Sequence, residues 1–166
     1  MSGPNPRAAA VAALVRQEQD GFSNLILDAE LRRQKLEGRD KAFASAIFYT
    51  VLEHQGTLDY ILSQFLPKGL AKLDPQVREI LRAALAQARY MQVPVSAAVN
   101  EAVKLTRSFK KSSASGLVNA VLRKVAQNKS NLPPLPEGNI ARLSVAYSHP
   151  QWLVKKLVSL LGTEEA

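Results

Sequence analysis

Residues 93–105 read VPVSAAVNEAVKL and residues 116–124 read GLVNAVLRK, with the basic turn SFKKSSASG (108–116) running between them. Pro94 and Ser96 open a helix in which Val99, Ala102, Val103, Thr106 and Phe109 recur at helical spacing. Leu117, Val118, Val121, Leu122 and Val125 do the same after the turn. Two amphipathic helices joined by a short turn form a hairpin, and its apolar side must be covered by further helices. Gly116, at the start of the second helix, is expected to let a neighbouring backbone approach closely.

The preceding sequence supplies those helices. Asn5 as N-cap and Pro6 at N1 start a helix with Ala8, Val11, Ala12 and Val15 on one face, ended by Asp20-Gly21. Ser23 can cap a second helix with Leu27 and Leu31 inward, broken at Gly38. Asp40 is expected to cap a third, carrying Phe43, Ile47, Phe48, Val51 and Leu52 as far as Gly56. Thr57 then opens a short helix with Leu58, Ile61, Leu62 and Phe65, closed by Pro67. Asp74-Pro75 is the strongest start signal, followed by Val77, Ile80, Leu81, Ala84, Leu85 and Ala88. Arg78, Arg82 and Arg89 fall in one angular sector of that helix. No alternating run bounded by hairpin turns competes, so the expectation is an all-α bundle of about seven helices.

After residue 128 the composition changes. NKSNLPPLPEGN cannot sustain a helix, and residues 129–141 read as a Pro-rich linker. Residues 142–166 are expected to form a C-terminal helical extension, in which Pro150 starts a segment bearing Trp152, Leu153, Leu157, Leu160 and Leu161. The domain proper is residues 4–128.

Composition narrows the function. Cysteine is absent, which removes disulfides, thiolate metal sites and a cysteine nucleophile; His54 and His149 lie too far apart in sequence to suggest a metal centre. With no apolar run long enough to cross a bilayer and no secretory signal, the chain reads as cytoplasmic. No glycine-rich phosphate loop follows a strand and no Ser/His/Asp set is suggested, so no catalytic residue is assigned. The net charge of +8 is unevenly distributed: −1 over residues 1–66, +9 over 67–131 and 0 over 132–166. A localised positive surface attracts phosphates.

Arg7, Arg78, Arg82, Arg89, Arg107, Lys110, Lys111, Arg123 and Lys124 are the candidate nucleic-acid contacts, with Lys104 and Lys129 beside them. A solvated helix surface is the plain alternative. Aromatic residues are scarce in this region, which favours phosphate recognition over base stacking. Asn100 and Asn119 stand at matching points on the two hairpin helices. They can touch RNA or clamp the helices together, and the clamp is favoured because amides near a core are usually paired internally. Glu101 is a candidate partner for Arg82. Asn100, Glu101, Gly116 and Asn119 are accordingly read as structural.

VPVSAAVNEAVKLTRSF and GLVNAVLRK, with LDPQVREILRAALAQARY and RDKAFASAIFYTVLEH before them, closely resemble the NusB-type RNA-binding domain. Thr106-Arg107 stands where that family more often has Ala-Lys. FSNLILDAELRRQKL and LSVAYSHPQWLVKKLVSLLG resemble the branch in which this domain precedes a small-subunit rRNA cytosine-C5 methyltransferase of the RsmB (Sun/Fmu) type. The resemblance implies a NusB-like bundle that positions RNA, small-subunit rRNA in particular, for a C-terminal methyltransferase domain in cis. It implies no cofactor in this chain and S-adenosylmethionine in the catalytic domain. The alternative branch is a stand-alone transcription antitermination factor that binds RNA together with a protein partner.

Overall fold

A computed structural model describes residues 5–21 and 23–127, which form six α-helices and two 3-10 turns, with no strand among them. The fold is all-α. The expected linker and C-terminal extension lie outside the described residues.

The first helix, α1 (Pro6–Asp20), starts as its sequence dictates. Asn5 is extended (φ −133°), its side chain accepts from the Ala8 backbone N–H at 3.0 Å, and Gly21 closes the helix in the left-handed region (φ 76°). Ala8, Ala9, Ala10, Val11, Ala13 and Leu14 are all buried. Small side chains nearly all round let α1 sit inside the bundle, where it packs on α2 (Ser23–Arg33), α3 (Gly38–Ser63) and α4 (Pro75–Tyr90). The hairpin is α5 (Val95–Ser108) and α6 (Ser115–Gln127).

The central third of the chain departs from expectation. The two helices expected there run on as one element, α3, interrupted by a kink with non-helical dihedrals at His54 (φ −113°, ψ 19°), two residues before the expected break at Gly56; taken as one, they make six helices where seven are expected. A mid-helix glycine costs about 1 kcal/mol. Burial of Leu58 and Ile61, 0% and 3% exposed, returns roughly 1.5–3 kcal/mol each, so packing overrides the glycine. Glu37, rather than Asp40, holds the N-cap position, and Asp40 lies in the first turn, where its charge meets the helix dipole.

Helix α4 is the other central element, packed on α1, α3, α5 and α6. Ten of its residues are buried, from Val77 through Gln87. The side expected to face solvent with its arginines is therefore largely inside. Asp74 precedes Pro75 as expected, but its side chain does not cap the helix and pairs instead with the Lys111 ammonium at 3.3 Å.

In the hairpin, Val118, Val121, Leu122 and Val125 are buried as expected, whereas Leu117 is 38% exposed and Val103 only half-buried. Gly116 does not serve a close approach: a Cβ placed there would meet nothing within 4 Å. The polar tie between the helices is Thr106, fully buried, whose hydroxyl lies 2.9 Å from that of Ser115.

Three helices end with a non-glycine residue in the left-handed region: Lys35 (φ 55°), Gln92 (φ 58°) and Lys110 (φ 59°). At Lys35 and Lys110 the backbone bonds are those of a Schellman motif, Leu36 N–H to Leu31 O with Lys35 N–H to Arg32 O, and Lys111 N–H to Thr106 O with Lys110 N–H to Arg107 O. Leu36 and Leu31 supply the apolar contact that accompanies the first.

Candidate nucleic-acid interface

The nine candidate cations divide by what surrounds them. Arg82 is 7% exposed and forms a bidentate pair with Asp59 (2.7 and 2.8 Å), while its third nitrogen meets Glu79 at 2.5 Å and Glu18 at 3.6 Å. Arg78 grips both oxygens of Glu18 and donates to the carbonyls of Leu70 and Leu73 at 3.2 and 2.9 Å. These two guanidiniums bind α4 to α1, α3 and the turn before α4. Glu101, proposed as the partner of Arg82, pairs instead with Arg7 and Lys104, each at 3.6 Å.

The same network perturbs its acids in opposite senses. Burial, with the Glu18 carboxylate beside it, pushes the Glu79 carboxyl up to about 9 against the pull of Arg82. Glu79 is therefore protonated at neutral pH. Burial also pushes Glu18 up, but the hydrogen bonds from Arg78 and Glu79 and the charges of Arg78 and Arg82 outweigh it and leave Glu18 below the usual carboxylate range.

Arg7 is likewise engaged. Its Nε donates to Gln87 Oε1 at 2.7 Å and its guanidinium lies 5.0 Å over the Phe43 ring. Arg89 is exposed and rests on Tyr90, whose ring stacks on His54 at 3.8 Å between centroids. Tyr90 and Phe109 both pack against the core.

The exposed remainder is not arranged as one stripe. Arg107 and Lys110 converge with Arg33 and Gln34 from the end of α2 on an open cleft of about 540 Å³, walled by Ala8, Ala12, Ser108 and Phe109. Arg33 is 71% exposed, with one nitrogen held 2.9 Å from the buried Glu30. It was not among the cations singled out from sequence, because the first third of the chain sums to −1. The signal is the Arg32-Arg33 pair ending a helix. Cations at helix ends also offset the helix dipole, which is a structural role for Arg33 and Arg107. Convergence of two helix ends on one hollow is more than that role requires.

The asparagines do not clamp the hairpin. Asn100 is exposed, and Asn119 Oδ1 accepts from Arg123 Nε of its own helix at 2.8 Å. Both line a second groove, of about 740 Å³, between α5 and α6. Arg123 and Lys124 are exposed on α6, Arg123 lining that same groove. Among the described residues no group of His, Asp or Glu is placed to hold a metal ion, and no helix is long and apolar enough to cross a membrane.

Known proteins share this sequence and this bundle. The chain is 31% identical to a probable ribosomal RNA small subunit methyltransferase B of Bacillus subtilis, a match that takes in all of this chain and 37% of the relative. It is 35% identical to the ribosomal RNA small subunit methyltransferase B of Thermus thermophilus, covering 98% of this chain and again 37% of the relative. The chain thus spans little more than a third of the length of these relatives. Among solved structures, a crystal structure of antitermination factors NusB and NusE in complex with dsRNA superimposes with a TM-score of 0.67 at 19% identity, covering 74% of this chain and 93% of that one. The NusB family itself matches residues 4–127, which takes in every helix described above, and the chain belongs to that family.

Proposed function

We propose that the chain is the RNA-binding module of a small-subunit rRNA cytosine-C5 methyltransferase, gripping phosphates in the cleft of Arg33, Arg107 and Lys110. The observation that carries this is the convergence of those three cations from helix ends about 75 residues apart in sequence, in a chain of net charge +8. Arg123 and Lys124, and Arg89 on its tyrosine, extend the positive surface. Arg78 and Arg82 serve the fold, since their charge is already matched by Glu18 and Asp59.

The methyltransferase assignment rests on coverage: the methyltransferase B relatives match across 98–100% of the chain, whereas the NusB–NusE structure matches 74% of it. Methyl transfer, its S-adenosylmethionine and its catalytic cysteine are assigned to the part of such a protein that this chain does not span. The module's contribution is to hold rRNA for that part, in the cytoplasm. A stand-alone antitermination factor is the second reading, favoured by the likeness to the NusB–NusE structure.

Binding to single-stranded RNA as a function of salt tests the proposal. Neutralising three phosphates gives a log–log slope of about −2, and replacing Arg107 and Lys110 together by Ala removes roughly 1.4 of it. Salt-independent binding, or a slope unchanged in the double variant, refutes the cleft.

A further inference from the structure

The groove between α5 and α6 has a chemistry distinct from that of the cleft. Its floor is apolar, made by Val95, Val99 and Val103, and two amides open into it. Asn119 has its oxygen committed to Arg123, which leaves its two N–H donors; Asn100 is exposed and offers a carbonyl acceptor and an amino donor side by side. The hairpin does not need these amides, because Thr106 and Ser115 already tie its helices. Gly116 adds room on the α6 wall, where even a Cβ would stand clear of every neighbour.

Amide donors and an acceptor lining one groove with three valines match the edge and face of an unpaired nucleobase. Asparagine amides pair bidentately with base edges, and sequence-specific RNA recognition targets bases splayed out of a helix. A guanidinium beside them suits the negative chain that carries the base. The two sites are also continuous. Asn100, Lys104 and Arg107 lie at i, i+4 and i+7 of α5, on one face, and seven residues of helix span about 10 Å. A strand held by its phosphates at Arg107 therefore passes the groove within the reach of a few nucleotides.

We infer that the α5–α6 groove receives one unpaired nucleobase of the bound RNA and reads its edge with Asn100 and Asn119. This rests on the RNA-binding reading above and adds sequence preference to it.

The test measures the affinity of the chain for short homopolymers of A, C and U and for an abasic ribose-phosphate oligomer at one salt concentration. Wild type should favour one homopolymer and bind the abasic strand more weakly. Asn100→Ala and Asn119→Ala should each lower affinity for the favoured homopolymer by roughly tenfold, as expected for loss of a base-edge pair. The salt slope on the abasic strand should be unaltered. Gly116→Phe, one turn from Asn119 on the same wall, fills the groove and should abolish the preference, and its melting temperature checks that the bundle is intact. Equal affinity of wild type for all strands, or weakening of the abasic strand in the Asn variants as much as the others, overturns the groove alone. Absence of binding to any strand at low salt overturns the phosphate cleft as well.

Discussion

Lys110→Gly separates the demands of the fold from those of the cleft. Lys110 ends α5 in the left-handed region (φ 59°), where its N–H reaches Arg107 O at 3.0 Å and the next N–H reaches Thr106 O at 2.6 Å. A Cβ in that conformation costs roughly 1–2 kcal/mol, and glycine removes the clash while giving back about 0.5–1 kcal/mol through its freer unfolded chain. The net expectation is a gain of about 0.5–1 kcal/mol, or a melting temperature higher by about 2–5 °C. If the strain is retained for the ammonium, the same variant must bind RNA less well, with the log–log salt slope smaller by about 0.7 on a single strand. Lys110→Ala is the control. It keeps the strained backbone and loses the charge, so it should show the slope change without the thermal gain. Thermal unfolding by circular dichroism and RNA titration across salt read both quantities. A stabilised Lys110→Gly with an unaltered slope would show that Lys110 is not at the RNA, and a destabilised one would show that the backbone there is not strained.

Two further perturbations address the buried network. Glu79 titrates near 9 in the fold against 4.5 for an ordinary glutamic acid, so folding favours its protonated form. That contribution is fully present below about pH 4.5 and is lost as pH rises towards 9. Glu79→Gln, neutral throughout and still able to accept from Arg82, should therefore gain stability relative to wild type as pH rises from 5 to 9 in urea titrations, where a constant difference would refute the protonated carboxyl. Arg82→Ala strands Asp59 and leaves Glu79 without its donor; it should cost about 3–5 kcal/mol in the same assay, with an RNA salt slope equal to that of wild type wherever the variant is folded.

Most of the fold was legible from local signals. Asn5-Pro6, Gly21, Asp74-Pro75 and the apolar spacing of α4 to α6 each act through bonds or burial within a few residues. Gly56 placed the break between the two segments of α3 two residues late: the non-helical dihedrals fall at His54, and Gly56 itself stays helical while Leu58 and Ile61 are buried beyond it. Leu117 misled because a stripe five residues wide cannot be narrowed to its buried part until the partner helix is placed. Asn100 and Asn119 were read as mates because their positions match along two helices. Matching height does not decide rotation about the helix axis, and both turn to the groove.

The charges show why the site was harder to read than the fold. Twelve Lys/Arg against three Asp/Glu over residues 67–131 suggested that the cations there had no partners. Yet Arg78 and Arg82 are neutralised by Glu18 and Asp59, acids from the section that looked balanced. Those acids are thereby withdrawn from their own neighbourhood, and Arg33, one of the cations they nominally offset, stands exposed beside Arg107 and Lys110. Exchange of partners between the two sections thus moves positive surface off α4 and onto the ends of α2 and α5. The total charge is conserved, but its location depends on which helices are central. Helix α4 is central because four other helices pack on it and bury ten of its residues, polar ones included, and an arginine on such a helix must bring its counter-ion with it or not be buried at all.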